Sequence, residues 1–157
     1  MITKLYKAMV RPHLEFGMTL ASPYYKMDVK VLESVQRRAT KLISAFQDKS
    51  YKERLTLLKL PTLVYRRKRG DVIATRKLLE NDVLSHVFSL SFPTTTRGHT
   101  MKLQAPRCIK QERQQFFTVH SVLFWNSLSE VTIQSKTLDT FKKGVDKDWA
   151  NAEWRLN

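Results

Sequence analysis

Four consecutive cations, Arg66-Arg67-Lys68-Arg69, form the cluster in this sequence that is best suited to binding phosphate. They lie in the segment LKLPTLVYRRKRGDVIATRKLL, whose apolar residues otherwise repeat with the period of a helix. Consecutive helical residues point about 100° apart, so the four charges spread over most of a turn and one of them leans toward the packed face. A local cost of this kind is expected where a surface meets phosphate. The alternatives are a nuclear-import signal and internal pairing with Asp71 and Glu80.

The net charge of the whole chain has the same sign as this cluster. The 157 residues include 28 Lys and Arg against 14 Asp and Glu, which gives a formal net charge of +14. Such a field attracts polyanions and speeds their encounter, but it does not specify a fold. The excess favours a nucleic-acid partner over a merely solubilising surface. An acidic membrane is the main competitor, but no strongly amphipathic helix flanked by Trp is evident.

Patterns of catalytic or metal-binding residues are nearly absent. The lone Cys108 excludes an internal disulfide and, with four scattered His, matches no zinc site of known spacing. His13-Leu14-Glu15 matches the first half of a zinc-deaminase signature, but the paired cysteines are missing. There is no Gly-rich phosphate loop and no close Asp pair for two-metal chemistry. No apolar run is long enough for a bilayer and no signal peptide is evident, so the sequence predicts a cytosolic or nuclear binding module.

Two helices are predicted before residue 50. The first is interrupted at Pro12, which is expected to end or kink it, and its segment closes at Gly17. The second has Asp28 as predicted N-cap and Glu33 four residues before Arg37 for modest ionic support. The apolar face of the first helix is Ile2, Leu5, Tyr6, Met9 and Val10. The apolar face of the second is Val31, Leu32, Val35, Ala39, Leu42, Ile43 and Phe46, and its opposite face carries Lys30, Arg37, Arg38 and Lys41.

Further elements follow from local signals. Ser50 and Glu53 form a capping box that begins a short helix, and Thr62 is expected to cap a long basic helix that ends near Leu79. The buried stripe of the long helix is predicted at Tyr65, Val72, Ile73 and Leu79. A turn is predicted at 94–99 and a strand at 101–104. Core residues are predicted at Phe116, Phe117, Val119, Val122, Leu123, Phe124 and Trp125, and a last helix carries Leu138, Phe141, Val145 and Trp149.

The predicted fold class is mainly α. We expect a small, thumb-like helical bundle with a short β-hairpin or strand element near 94–108 and C-terminal helices. Two domains are predicted, a thumb-like bundle at 1–82 and a C-terminal extension at 83–157.

Seven motifs, taken in order, resemble the end of a longer protein. They are similar to the C-terminal part of reverse transcriptases from non-LTR (LINE-type) retrotransposons, especially jockey-like elements. The likeness extends from about Leu5 to Trp149, and no single motif would carry it alone. The motifs are LYKAMVRPHLEFG, LESVQRRATKLI, SYKERLTLLKLPTLVYRRKRGDVI, TRGH, PRC, LFWNSLS and TFKKGVD.

The resemblance implies the thumb and C-terminal extension of an RNA-directed DNA polymerase. In that family the thumb grips the RNA template and the growing primer during target-primed reverse transcription. The palm carries the two-metal aspartate site with its Tyr-x-Asp-Asp motif, and that motif is absent here. Polymerase activity and Mg²⁺ therefore belong to the missing palm, and this chain is expected to have no catalytic residue, no metal ligand and no cofactor.

The chain also departs from the family pattern. Ala21 stands where the family commonly has Trp, and Ser129-Glu130 stand where Pro-Glu is usual. These departures suit a relaxed copy, a fragment or a host-captured remnant. The alternative to nucleic-acid binding is thus a host-captured or relic module that acts as a protein-interaction domain or has no selected function.

The expected partner is RNA or an RNA–DNA hybrid, alongside the missing palm and endonuclease portions of the parent protein, in the nucleus or cytoplasm. No membrane and no small-molecule substrate are expected. Phosphate contacts carry affinity without reading sequence, so the candidate residues are basic. A solvated helix face, a structural cap and a turn are the competing roles for several of them, whereas Trp125 and Trp149 are assigned to the core. The candidate nucleic-acid-binding residues are Arg37, Arg38, Lys41, Arg66, Arg67, Lys68, Arg69, Arg11, His13, Arg97, His99 and Arg107.

Overall fold

The structure, a computed structural model, describes residues 2–17, 23, 25–81, 85–91 and 98–152. Within these residues the chain is mainly helical, as predicted, and no strand is formed. A π-helical turn spans Tyr6–Val10, and 3₁₀ turns span Ser44–Phe46 and Ser85–Val87. The α-helices are α1 Ile2–Leu5, α2 Arg11–Glu15, α3 Lys26–Lys41, α4 Tyr51–Leu57, α5 Leu63–Leu79, α6 Gln111–Gln114, α7 Phe117–Asn126, α8 Glu130–Ile133 and α9 Leu138–Asp148.

The chain forms two compact units, one comprising mainly Met1–Arg67 and the other Lys68–Asn151. Helix α5 begins in the first unit and continues into the second. These units are not the predicted domains 1–82 and 83–157, whose existence stays a prediction.

Pro12 neither ends the first helix nor prevents a further turn after it. Because proline lacks an N–H and its ring crowds the carbonyl four residues earlier, an ordinary α-helix cannot continue through it undisturbed. A π turn at Tyr6–Val10 absorbs the disturbance, with the N–H of Arg11 donating to the carbonyl of Tyr6. The segment then turns at Gly17, where φ is +64°, a conformation that glycine adopts without strain.

Helix α3 forms where the sequence predicts it, but it buries a different face. Asp28 is not the N-cap; it lies in the first turn, and Tyr25 occupies the cap position. The buried residues are the polar Gln36 and Thr40, whereas Val31 and Leu42 are 59% and 69% exposed. Two residues of the predicted apolar face are therefore exposed to solvent.

A polar network fixes helix α3 within the first unit. The phenol of Tyr6 donates to Gln36 Oε1 at 2.6 Å, and Gln36 Nε2 donates to the phenol oxygen of Tyr51 at 3.1 Å. Tyr51 in turn donates to Glu33 Oε1 at 2.5 Å, and Glu33 Oε2 accepts the backbone N–H of Leu63 at 3.1 Å. Burial and the hydrogen bond to Glu33 raise the pKa of Tyr51 well above its ordinary value, so it remains a neutral donor. The chain of bonds links helix α3 to the start of helix α5.

The predicted helix starts in this region are confirmed. Ser50 accepts the N–H of Glu53, and the Glu53 carboxylate accepts the N–H of Ser50, which completes the capping box of helix α4. Thr62 Oγ1 accepts the N–H of Tyr65 at 3.1 Å at the start of helix α5. Tyr65 and Val72 are buried as predicted.

Helices α7, α8 and α9 surround the apolar core of the second unit. Trp125, Phe141 and Val145 are buried, and the rings of Trp125 and Phe141 lie 5.9 Å apart. The assignment of Trp125 and Trp149 to the core is confirmed. Leu123 is exposed, however, because an α-helix cannot turn every apolar side chain toward one core. Phe116, which is also exposed, precedes the helix at its N-cap position.

The predicted β-hairpin or strand near 94–108 does not form in the described part of that segment. Leu103 makes an isolated antiparallel bridge with Leu90. Its N–H donates to Asn126 Oδ1 and its carbonyl accepts from Asn126 Nδ2, both at 2.9 Å. Trp125 Nε1 also donates to the carbonyl of Met101 at 2.8 Å. On the other side of the segment, the N–H of Ser91 donates to the carbonyl of Lys102 and the N–H of Gln104 donates to the carbonyl of Ser89, both at 2.8 Å. The pairing with residues 89–91 is therefore limited to this single bridge. Of the turn predicted at 94–99, residues 94–97 lie outside the described residues.

Among the helices described, none is both long enough and apolar enough to cross a membrane.

Candidate nucleic-acid interface

The basic run Arg66-Arg67-Lys68-Arg69 is largely engaged inside the protein. Arg66 makes a bidentate ion pair with Glu15 in the first unit, with its Nη2 2.8 Å from Oε2. Arg69 makes another with Asp146 in the second unit, at 2.6 and 2.9 Å. Bidentate arginine–carboxylate pairs are strong and geometrically specific, so a phosphate would have to compete with a carboxylate at both residues.

The two central cations of the run are also withdrawn from solvent. Arg67 is buried. Lys68 lies over the ring of Phe124, with its Nζ 4.9 Å from the ring centroid. Burial lowers the pKa of Lys68 below its ordinary value. The sequence argument that one cation must lean inward is therefore correct, but four cations do not form an open phosphate-binding stripe.

Pairing with carboxylates of the same chain was one of the alternatives predicted for the basic run. Such pairs do form, but with carboxylates that are distant in sequence from the run. Glu15 pairs with Arg66 and Asp146 pairs with Arg69. The two predicted partners have other donors, since Asp71 pairs with His120 and Glu80 pairs with Arg76.

The cations of helix α3 are arranged differently. Arg37, Arg38 and Lys41 are all exposed, and among the described residues no carboxylate lies within 4.0 Å of any of them. Glu33 does not support Arg37 as expected, since its oxygens accept from Tyr51 and Leu63. The helix thus presents three positive charges that are open to a polyanion.

Tyr51 positions one of these cations. The guanidinium carbon of Arg37 lies 4.6 Å from the centroid of the Tyr51 ring, which is a cation–π distance. Arg54, which is buried, contacts the same ring at 5.7 Å and donates to the carbonyl of Lys49 at 2.6 Å. Because Tyr51 is itself held by Glu33, Arg37 rests on an ordered aromatic platform.

Apolar side chains share the outer face of helix α3 with the cations. Met27, Val31 and Arg38 fall within about 40° of one another at 100° per residue. Met27, Val31 and Leu42 are exposed, and so is Lys30. We call this surface the outer face of α3 and define it by Met27, Lys30, Val31, Arg37, Arg38, Lys41 and Leu42.

The other candidates in the first unit have mixed environments. Arg11 Nε lies 3.5 Å from Glu15 Oε1, so one carboxylate serves both Arg11 and Arg66. His13 is exposed on helix α2. Of this pair, His13 is the residue open to a ligand.

The two other candidates described in the second unit, His99 and Arg107, have different environments. His99 is buried, its Nε2 lies 3.0 Å from the carbonyl oxygen of Trp125, and the two rings meet edge to face. Arg107 is exposed in a segment without regular structure. Arg97 lies outside the described residues. His99 therefore belongs to the core, and Arg107 is the exposed candidate.

Sequence reasoning missed the residues that decide which cations are open. Glu15 is 51 positions from Arg66, and Asp146 is 77 positions from Arg69. In the sequence, Tyr51 is only the first residue after the Ser50 cap, whereas in the structure its ring lies beneath Arg37. No local pattern signals contacts over such separations.

In the described part of the chain, no three His, Cys, Asp or Glu side chains come together as a metal site would require. Comparisons with protein-family models, with curated proteins and with solved structures return no match to this chain. The resemblance to reverse transcriptases therefore rests on the seven motifs alone.

Proposed function

We propose that this chain is a non-catalytic nucleic-acid-binding fragment of a LINE-type reverse transcriptase. The outer face of α3 grips an RNA template–primer duplex in the manner of a polymerase thumb. The chemistry and its Mg²⁺ belong to a palm outside these residues, and the chain itself holds no cofactor. Its place of action is the nucleus or the cytoplasm, wherever the template RNA is found.

One observation carries the proposal. Arg37, Arg38 and Lys41 are exposed on one helix without carboxylate partners in the described part of the chain, whereas Arg66 and Arg69 are held by Glu15 and Asp146. A helix that follows a duplex needs cations that are free to meet phosphates. The proposal therefore places the grip on helix α3 and gives the basic run a mainly structural role.

The proposed interface predicts a definite salt dependence. If Lys30 joins the three cations, about four phosphates are neutralised and the slope of log K against log salt lies between about −3 and −4. A slope near zero on an RNA–DNA hybrid would overturn the mechanism.

A charge-matched pair of variants tests the location of the grip. Arg37→Glu/Arg38→Glu/Lys41→Glu removes the proposed site. Lys136→Glu/Lys143→Glu/Lys147→Glu changes three exposed cations of the second unit and lowers the net charge from +14 to the same +8. Fluorescence anisotropy on a labelled hybrid is expected to show a loss of at least about tenfold for the first triple relative to the second. Equal losses of affinity for the two triple variants would show that hybrid binding depends only on the net charge of the chain.

A second candidate function is favoured by the apolar part of the same face. Met27, Val31 and Leu42 are exposed beside the cations, and aliphatic side chains gain little from phosphates. An acidic amphipathic helix would satisfy both components, since its carboxylates would meet the cations and its apolar stripe would cover the aliphatic residues. The chain would then act as a protein-interaction module.

The two functions are separated by an apolar substitution. Met27→Ser/Val31→Ser keeps every charge, so hybrid binding is expected to stay within about twofold, whereas binding of an acidic amphipathic peptide is expected to fall by about tenfold or more. If the serine variant loses hybrid binding to the same extent, the phosphate-based grip is wrong.

A further inference from the structure

An aliphatic residue, a lysine and an acid are exposed together in the second unit, in the sequence Ile109-Lys110-Gln111-Glu112. Ile109 is 100% exposed, more than any other large apolar side chain of the described residues. Isolated exposed apolar residues are common, but this one directly precedes an exposed lysine. Glu112, also exposed, follows that lysine by two positions.

The backbone here is open to an enzyme's cleft. Residues 104–109 belong to no helix or strand, and Lys110 has φ −82° and ψ 134°, an extended conformation. Helix α6 begins at Gln111 and is only four residues long. A single helical turn has little intrinsic stability, so we expect residues 111–112 to adopt the extended conformation when an enzyme binds this segment.

This arrangement matches the substrate requirement of one kind of conjugating enzyme. Enzymes that transfer one class of ubiquitin-like modifier bind an extended aliphatic–Lys–x–acid segment directly. The aliphatic side chain packs beside the enzyme's catalytic cysteine, the carboxylate pairs with basic enzyme groups, and the lysine enters between them. Lysine is the acceptor because its amine is a nucleophile on a long, flexible stem.

The pattern is specific within this chain. No other lysine has an aliphatic residue directly before it and an acid two positions after it. The nearest approximation is Tyr25-Lys26-Met27-Asp28, where the preceding residue is aromatic and Lys26 begins helix α3. Lys26 is therefore a control lysine, with a similar neighbouring sequence but a helical backbone.

We propose that Lys110 is an acceptor site for a ubiquitin-like modifier of this class. The neutral Nζ attacks the thioester carbonyl that joins the C-terminal glycine of the modifier to the enzyme's cysteine. A C–N bond forms, the C–S bond breaks, and one amine proton ends on the released thiol. The product is an isopeptide bond, and no oxidant or reductant is consumed. The site does not depend on nucleic-acid binding by helix α3.

Reconstituted conjugation tests the site. The full chain is incubated without nucleic acid with the activating enzyme, the conjugating enzyme, the modifier and ATP, and adducts are mapped by tryptic mass spectrometry. We expect a single main adduct on Lys110. Lys110→Arg, which keeps the charge, and Glu112→Gln, which removes only the carboxylate, are expected to lower its yield at least tenfold. Lys26→Arg and Lys136→Arg are expected to leave it unchanged.

Three results would overturn the proposal. One is an undiminished adduct on Lys110→Arg, and another is an adduct that does not respond to Glu112→Gln. The third is the absence of adduct on the chain while a control peptide with an aliphatic–Lys–x–Glu sequence is modified in the same tube. Circular dichroism of each variant checks that these exposed substitutions leave the helical content unchanged.

Discussion

His120 pairs with Asp71 within the second unit. Its Nε2 lies 3.0 Å from Asp71 Oδ2, and its Nδ1 lies 2.8 Å from the carbonyl oxygen of Gln115. A carboxylate oxygen and a carbonyl oxygen are both acceptors, so the protonated ring can donate from both nitrogens at once. Burial alone lowers the pKa of His120, but the hydrogen bond and the charge of Asp71 outweigh it, and the net pKa is raised. The imidazolium therefore ties helix α5 to helix α7.

This pair predicts a pH-dependent stability. A group whose folded pKa is raised stabilises the fold below its unfolded pKa, about 6.5, and loses that contribution as pH rises through the folded value. His120→Gln replaces the titrating donor with a neutral one. We expect the urea midpoint of the natural chain to exceed that of the variant most at pH 6, and the difference to shrink by pH 9. Tryptophan fluorescence, to which Trp125 and Trp149 contribute, follows the unfolding. A difference that stays constant with pH would contradict the assignment.

Two helical glycines predict opposite outcomes for the same substitution. A Cβ at Gly144 would lie 2.6 Å from Thr132 Oγ1 and 2.8 Å from Thr132 Cγ2, whereas a Cβ at Gly70 meets nothing within 4 Å. Alanine stabilises an unobstructed helix position by up to about 1 kcal/mol relative to glycine. Overpacking costs about 1–3 kcal/mol. We expect Gly70→Ala to raise the free energy of unfolding and Gly144→Ala to lower it.

The contact with Thr132 can be tested separately. Thr132→Ala removes the two closest of the three obstructing atoms and leaves Thr132 Cβ at 3.0 Å. Its effect and that of Gly144→Ala are therefore expected to be less than additive in denaturant unfolding. Additive losses would show that Gly144 is constrained by something other than Thr132.

The correct sequence predictions concern interactions between residues close together along the chain. The capping box of Ser50 and Glu53 and the cap at Thr62 each involve residues three positions apart, and the local pattern therefore suffices. The last helix was also predictable because Phe141 and Val145 repeat at helical spacing against a buried core.

The incorrect predictions concern interactions between residues that are distant in sequence and are brought together only by the folded chain. Gln36 is buried because Tyr6 and Tyr51 satisfy its amide, and nothing in the period of helix α3 indicates this. Leu103 forms only an isolated bridge, and its own backbone groups bind the side chain of Asn126, which lies 23 positions away and which local alternation does not indicate. The sequence places Arg37, Arg38 and Lys41 on the polar face of helix α3, and all three are exposed. The ion pair between Arg66 and Glu15 was not predicted.

The contacts of Arg76 predict that even a charge-conserving substitution there lowers the stability of the fold. Its guanidinium donates to the carbonyls of Ile133 at 2.7 Å and Ser135 at 2.8 Å, and its Nε lies 2.5 Å from Glu80 Oε1. A lysine cannot reproduce this planar fork. Because buried hydrogen bonds to a charged group contribute about 1.5–3 kcal/mol each, we expect Arg76→Lys to lower the free energy of unfolding by about 2 kcal/mol.

Arg38→Lys is the matched control for this measurement. Arg38 is exposed on helix α3, so its replacement is expected to change the free energy of unfolding by less than about 0.5 kcal/mol. Equal effects in chemical denaturation would show that the contacts of Arg76 are not what stabilises the second unit.

The hydroxyl and the ring of Tyr51 make different contacts, so we expect two substitutions of this residue to affect stability and nucleic-acid binding differently. Its hydroxyl joins Glu33 to Gln36, and its ring supports Arg37. Tyr51→Phe removes the hydroxyl alone and leaves two polar partners poorly satisfied, at a cost of about 1–3 kcal/mol. Tyr51→Leu removes the ring as well. We expect hybrid binding under native conditions to be kept by the phenylalanine variant and weakened severalfold by the leucine variant, since Arg37 then loses its platform. Anisotropy on a labelled RNA–DNA hybrid, at protein concentrations where circular dichroism shows both variants folded, makes the comparison. If the two variants bind equally well, the ring of Tyr51 does not position Arg37 for phosphate.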